Sequence, residues 1–137
     1  MLFRISSKLR DIWNKMSNKE YRDAFTVADN SNTISTQIAT MRHSRKWTQK
    51  ELAEKCGMRQ PRISDLEDPE FENVEIATLQ RIASAFDVAL LIGFIPFSEL
   101  ARRATSHNNS DFNVIEFSKD DLAGRIQADS APEMSIL

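Results

Sequence analysis

The sequence predicts a mainly α-helical bundle followed by one or two short β-strands. Three observations carry that expectation: apolar residues return at helical spacing as far as Phe86, two short helices in mid-chain have ends marked by local capping chemistry, and the texture changes to a continuous apolar run after Asp87. At 137 residues the chain suits one domain with appendages, because cores of about 100 residues are the usual unit.

The elements follow in chain order. Leu2, Ile5, Leu9, Ile12 and Met16 share one face, with Trp13 beside them and Lys8, Arg10, Asp11 and Lys15 on the other side, which predicts an amphipathic helix packed on the body of the protein. Ser17-Asn18-Lys19-Glu20 has the form of a capping box, in which a Ser oxygen and a Glu carboxylate satisfy free backbone donors; it opens a second helix to about Ala28. Asp29-Asn30-Ser31-Asn32 is expected to break that helix. Ile34, Ile38 and Met41 give the next one an apolar face that ends near Lys46. Three more helical stretches follow at Gln49–Cys56, Pro61–Leu66 and Ala77–Phe86.

From Val88 to Phe97 the residues are apolar on both alternating faces and the run stops at Pro96, the pattern of a buried strand. A lone strand leaves a row of unmet N–H and C=O groups. The sequence therefore predicts that Val88, Leu90, Leu91, Ile92 and Phe94 make a homodimer with a second copy, with Gly93 allowing close approach of the backbones. Asn113 to Phe117 is a weaker candidate strand, and pairing within one chain followed by burial against the first helix is the rival arrangement. The expected organisation is an N-terminal helical extension at 1–30, a central helical unit at 31–87, an apolar strand for dimerisation at 88–104 and a polar tail at 105–137.

Several function classes are disfavoured. No apolar run approaches the roughly 20 residues of a membrane span, the opening Met1-Leu2-Phe3-Arg4-Ile5 lacks the form of a secretory signal, and Cys56 is the single cysteine, so a reducing cytoplasm is the expected location. Cys56 lies on an apolar face and reads as a small core residue. With His43 and His107 it makes no metal spacing, and the chain's three glycines form no phosphate loop, so neither an enzyme nor a cofactor or metal is expected.

A net charge of −2 argues against nucleic acid only until its distribution is considered. From Arg42 to Arg62 seven basic residues (Arg42, Arg45, Lys46, Lys50, Lys55, Arg59, Arg62) face only Glu51 and Glu54, whereas Ser64 to Ile76 holds six acids and no base. The charge is segregated. Lys50, Arg45 and Lys46 accordingly become candidate contacts to a nucleic-acid backbone.

Within the basic stretch Thr48-Gln49-Lys50-Glu51 is a second capping box, with Trp47 placed to staple onto Leu52. Gly57 ends the helix as the residue able to adopt positive φ, and Pro61 suits the first turn of the next helix. The whole stretch from Gln49 to Glu67 resembles the helix-turn-helix of the Xre or Cro/lambda-repressor family of transcriptional regulators, in its Gln, Leu-Ala, Gly, Gln, Ile and Leu-Glu at matching spacings. The resemblance spans about Ile34 to Phe86 and implies a lambda-repressor-like bundle that binds double-stranded DNA. It also implies that Gln60 to Leu66 lies in the major groove, that Gln49 donates to a phosphate, and that Arg42 and Glu67 form an ion pair bracing the reading helix.

With Ile63 and Leu66 inward, about 100° per residue turns Pro61, Ser64 and Asp65 outward, with Gln60 at the tip. Gln60 can pair with adenine N6 and N7, Asp65 can accept from cytosine N4, and Pro61 can touch a thymine methyl, while Arg59 and Arg62 flank them within reach of guanine or phosphate. The loop from Glu67 to Glu75 departs from the family, since its acids would be repelled by phosphate. Two roles fit such a protein: a repressor on a palindromic operator, or the antitoxin of a pair that also holds a protein toxin. An interaction module without DNA binding is the third reading, and salt-dependent retention on DNA separates it from the first two.

Overall fold

The computed structural model describes residues 5–106 and 109–130; the readings of Leu2, of His107 and of the tail from residue 131 lie outside them. The described elements are α1 (Ser7–Lys15), α2 (Lys19–Ser44), α3 (Gln49–Cys56), α4 (Gln60–Leu66), α5 (Ile76–Phe86), α6 (Phe97–Ser106), 3-10 turns at Asn109–Phe112 and Phe117–Lys119, and α7 (Leu122–Ser130).

Helix α2 departs from expectation twice. Its cap is Asn18 and not Ser17: the Asn18 side chain accepts from the Tyr21 N–H at 3.0 Å, while the Ser17 hydroxyl donates back to the Asn14 carbonyl. The predicted break at Asp29-Asn30-Ser31-Asn32 is absent, and the helix runs unbroken for 26 residues. These four residues each cost only a few tenths of a kcal/mol against good helix formers, and none is Gly or Pro. Anchoring on both sides outweighs that cost. Tyr21 and Phe25 pack into one cluster and Ile38 and Met41 into another, so the intervening turns are held from both ends.

These two clusters are separate cores sharing α2. The larger one buries Ile38 and Met41 with Leu52, Ala53 and Cys56 of α3, Ile63 and Leu66 of α4, and Ile82 and Phe86 of α5. Leu52, Ile63, Leu66 and Phe86 are fully buried, each contributing about 1.5–3 kcal/mol of transfer free energy. The smaller core packs Met16, Leu100 and Ala101 with Leu9, Ile12, Tyr21, Phe25 and Phe97, joining α1, the first half of α2 and α6. Helix α2 thus passes straight through the expected boundary at residue 30.

No strand forms among the described residues, which corrects the predicted strands at Val88–Phe97 and Asn113–Phe117. A ladder needs a partner, and the chain offers the apolar run none. The groups around Asn113–Phe117 are engaged elsewhere: the Val114 carbonyl accepts from Arg45 and the Phe117 N–H donates to the Asp87 carbonyl. Val88 donates to the Ala83 carbonyl, but no backbone hydrogen bond is recorded for the N–H groups from Ala89 to Ile95. Val88 and Leu90 are half-buried, Val88 against the large core, but the other apolar side chains are uncovered, with Leu91 91% and Phe94 106% exposed.

This segment connects the two cores. Phe86 lies at the C-terminal end of α2, where its carbonyl accepts from Arg45, and Phe97 lies at the N-terminal end under the Arg22 guanidinium. That separation is on the order of 30 Å along the α2 axis, so ten residues cover it only in a largely extended form. Helix α6 was not anticipated by sequence reasoning. Pro96 starts it, its carbonyl accepting from the N–H groups of Glu99 and Leu100.

Candidate nucleic-acid interface

The predicted capping box of α3 is present in full. The Thr48 side chain accepts from the Glu51 N–H at 3.0 Å and the Glu51 carboxylate accepts from the Thr48 N–H. Trp47 stacks on Phe86 with ring centroids 5.6 Å apart, and the Lys55 ammonium lies 4.6 Å from the Trp47 ring centroid, so the loop into α3 is fastened to the large core. At the far end of α3 Gly57 takes φ of +65°, and the Met58 N–H donates to the Ala53 carbonyl at 2.8 Å. This is the left-handed helix ending expected of glycine there. Arg81 of α5 donates to the Cys56 and Gly57 carbonyls at 2.8 and 2.7 Å, satisfying acceptors that the helix end leaves open. Sequence reading missed Arg81 because nothing local links it to a turn 24 residues away.

Helix α4 starts at Gln60, with Pro61 in its first turn. Its inward residues Ile63 and Leu66 are fully buried, while Arg59, Gln60, Pro61, Ser64 and Asp65 are all exposed on one outward surface. The Gln60 side-chain amide donates to the Gln49 side-chain oxygen at 2.7 Å, so the tips of α3 and α4 are tied together. That bond holds the Gln60 amide in one orientation. Lys50 and Lys46 are exposed nearby in sequence, Lys46 with φ of +59° in the turn between α2 and α3.

Arg62 is half-buried, its guanidinium 5.2 Å from the centroid of Phe71. Phe71 and Val74 fold the acidic loop back onto the domain, Val74 against the large core, while Asp68, Glu70, Glu72 and Glu75 remain exposed. Arg62 therefore has a neighbour that the local sequence did not reveal.

Arg42 and Glu67 meet through two hydrogen bonds, Nε to Oε2 and Nη2 to Oε1, both 2.8 Å. A third bond runs from Arg42 to the Trp47 carbonyl at 2.9 Å. The side chains are only 10% and 8% exposed. One guanidinium thus joins α2, the loop into α3 and the end of α4. The Glu67 hydrogen bond raises the Arg42 pKa above its already high ordinary value, so Arg42 is charged throughout the working pH range.

Arg45 is placed differently from its basic neighbours. Its guanidinium donates to the carbonyls of Met41, Phe86 and Val114 and lies 5.0 Å from the Phe86 ring centroid. It anchors the returning chain at the end of α2. Cys56 is buried on the inner face of α3, and burial pushes its thiol pKa up, keeping it protonated and unreactive near neutral pH. Among the described residues no cluster of His, Cys, Asp and Glu is arranged to hold a metal, and no helix is long and apolar enough to cross a membrane.

Residues 28–93 match the model of a family described as a helix-turn-helix domain. Over that stretch, just under half of the chain, the sequence is similar to such a domain, and α3 and α4 both fall within the matched residues. Neither the curated proteins nor the solved structures gave a match.

Proposed function

We propose that the helix-turn-helix domain makes this chain a sequence-specific regulator of transcription, a repressor of the Xre or Cro/lambda-repressor type acting as a homodimer on a palindromic operator. The observation that carries this reading is the Gln60 side chain, exposed at the tip of a helix whose opposite face is fully buried and held in place by Gln49. A fixed carboxamide on a rigid helix has the geometry to pair with both N6 and N7 of adenine. Gln49 supports it through its side-chain oxygen, which leaves the Gln49 amide donors for a phosphate. Ser64 and Asp65 lie further along the same surface. Lys50 and Lys46 supply charge that neutralises phosphate without reading sequence.

The Gln60→Ala variant is expected to lose about 1–3 kcal/mol of preference at one base position, whereas Lys50→Ala weakens binding to every duplex alike and lowers the salt slope by about one. Selection of bound sequences from random duplexes, followed by titrations on selected and scrambled sites, separates the two. Equal loss on both sites for Gln60→Ala would remove it from the reading set.

The homodimer is proposed through residues 88–96. Leu91, Ile92, Phe94 and Ile95 are exposed together in the isolated chain, an apolar patch on the order of 500 Å², at the upper end of what lone soluble proteins present. Its free backbone groups and apolar side chains are both satisfied by an antiparallel copy centred on Ile92. Such pairing sets the two Val88 residues about 27 Å apart. Half-sites about 34 Å apart then require the reading helices to lie slightly outboard of them.

A further inference from the structure

Between α1 and α6 lies an open groove of about 760 Å³, floored by Leu9, Trp13 and Ala101 and bordered by Arg10 and Arg102. Trp13 is half exposed, and among the described residues neither guanidinium has a hydrogen-bond or ion-pair partner. An apolar floor between free cations suits a helix with an apolar stripe and acidic flanks.

This chain itself carries such a helix. In α7 all residues are exposed; Leu122 and Ile126 form an apolar stripe one turn apart, with Asp120 and Asp121 before it and Asp129 one turn after Ile126. Although Asp121 is paired with Arg125 at 2.8 Å, three acids against one base leave the segment net acidic. A helix of nine residues is marginal in water without a surface to pack on.

The path of the chain decides whose groove α7 can enter. After α6 the chain returns along α2 and is fixed at the opposite end, where Arg45 holds the Val114 carbonyl and Asp87 accepts from Phe117. Leu122 follows Phe117 by five residues, a reach of at most about 18 Å, while the groove of the same chain lies about the length of α2 away, on the order of 30 Å. In an antiparallel pairing of residues 88–96 the Asp87 end of one copy adjoins the Phe97 end of the other, which is where the other copy's groove begins. We infer that α7 of each copy docks in the α1/α6 groove of its partner, a reciprocal exchange that closes the dimer.

The inference rests on the proposed pairing of residues 88–96, and the test separates the two. In full-length protein under a mild oxidant, Ile92→Cys reports the strand pairing as a disulfide-linked dimer. A mixture of two single variants, Asn14→Cys at the groove and Gln127→Cys on α7, reports the exchange; the buried Cys56 does not compete. The expected result is a covalent dimer in the mixture and in neither variant alone, with its yield falling several-fold when the groove chain also carries Arg10→Glu and Arg102→Glu. Cross-linking of Ile92→Cys without cross-linking in the mixture overturns the exchange and leaves the dimer standing. Failure of both removes both. A chain carrying Asn14→Cys and Gln127→Cys together that closes on itself as a monomer shows that α7 serves its own groove and also overturns the inference.

Discussion

Replacing Glu67 with Ala is expected to lower stability by about 3–5 kcal/mol, the usual cost of removing one partner of a buried ion pair. The cost is high because Arg42 has no way to relieve it. Its guanidinium is about nine-tenths buried, its pKa is raised further by the Glu67 bond, and deprotonation is out of reach at any pH the protein tolerates. The Trp47 carbonyl and the His43 ring nitrogen, 3.3 Å from Nη2, then face a charge that had two carboxylate bonds. In thermal melting the loss reads as a fall on the order of 10 °C or more, since a cooperative unit of this size shifts by about 4 °C per kcal/mol. Glu67→Gln keeps an acceptor and is expected to fall between Ala and the native residue. An unchanged melting temperature together with selectively lost DNA binding would instead make Glu67 a contact residue.

The second large effect is functional. Ile92→Lys is expected to convert the dimer to a monomer and to cost about 10²–10⁴-fold in affinity for a palindromic site, with the affinity for an isolated half-site unchanged. Ile92 is 53% exposed in the isolated chain, so the lysine can be solvated without disturbing either core. Circular dichroism should therefore show native helix content while sedimentation shows one copy. A folded variant that still sediments as a dimer would place the interface elsewhere.

Much of the domain was legible because its decisive signals are local. The Thr48 box, Gly57 and Pro61 mark helix ends by chemistry acting over three or four residues, and the structure places those ends where the sequence does. The Arg42–Glu67 pair spans 25 residues and was reached only through family resemblance, yet the bidentate bond is present. What could not be read depends on tertiary context. Nothing around Asn30 announces that Phe25 and Ile38 belong to different cores, and it is their anchoring that carries α2 across a polar turn. The run from Val88 reads as a strand because side-chain pattern reports on burial, whereas strand formation also needs a neighbour's hydrogen bonds. Arg45 shows the same limit: its charge pointed to phosphate, but its position at the end of α2 delivers it to three carbonyls.

The continuity of α2 has a consequence for how the protein opens. Its amides near residues 29–33 lie between two cores, and neither core can come apart without freeing one end of the same hydrogen-bonded ladder. A rod shared in this way makes the two halves one cooperative unit. Native-state hydrogen exchange is therefore expected to show the central amides of α2 exchanging at the same slow rate as those of Leu52 and Phe86, through global unfolding alone. Two distinct protection levels on either side of Asn30 would mean that the halves open separately. A fragment begun at residue 31 keeps only the last 14 residues of this helix and cuts it where it bridges the two cores, so it should melt below the whole chain even though every residue of the motif is retained.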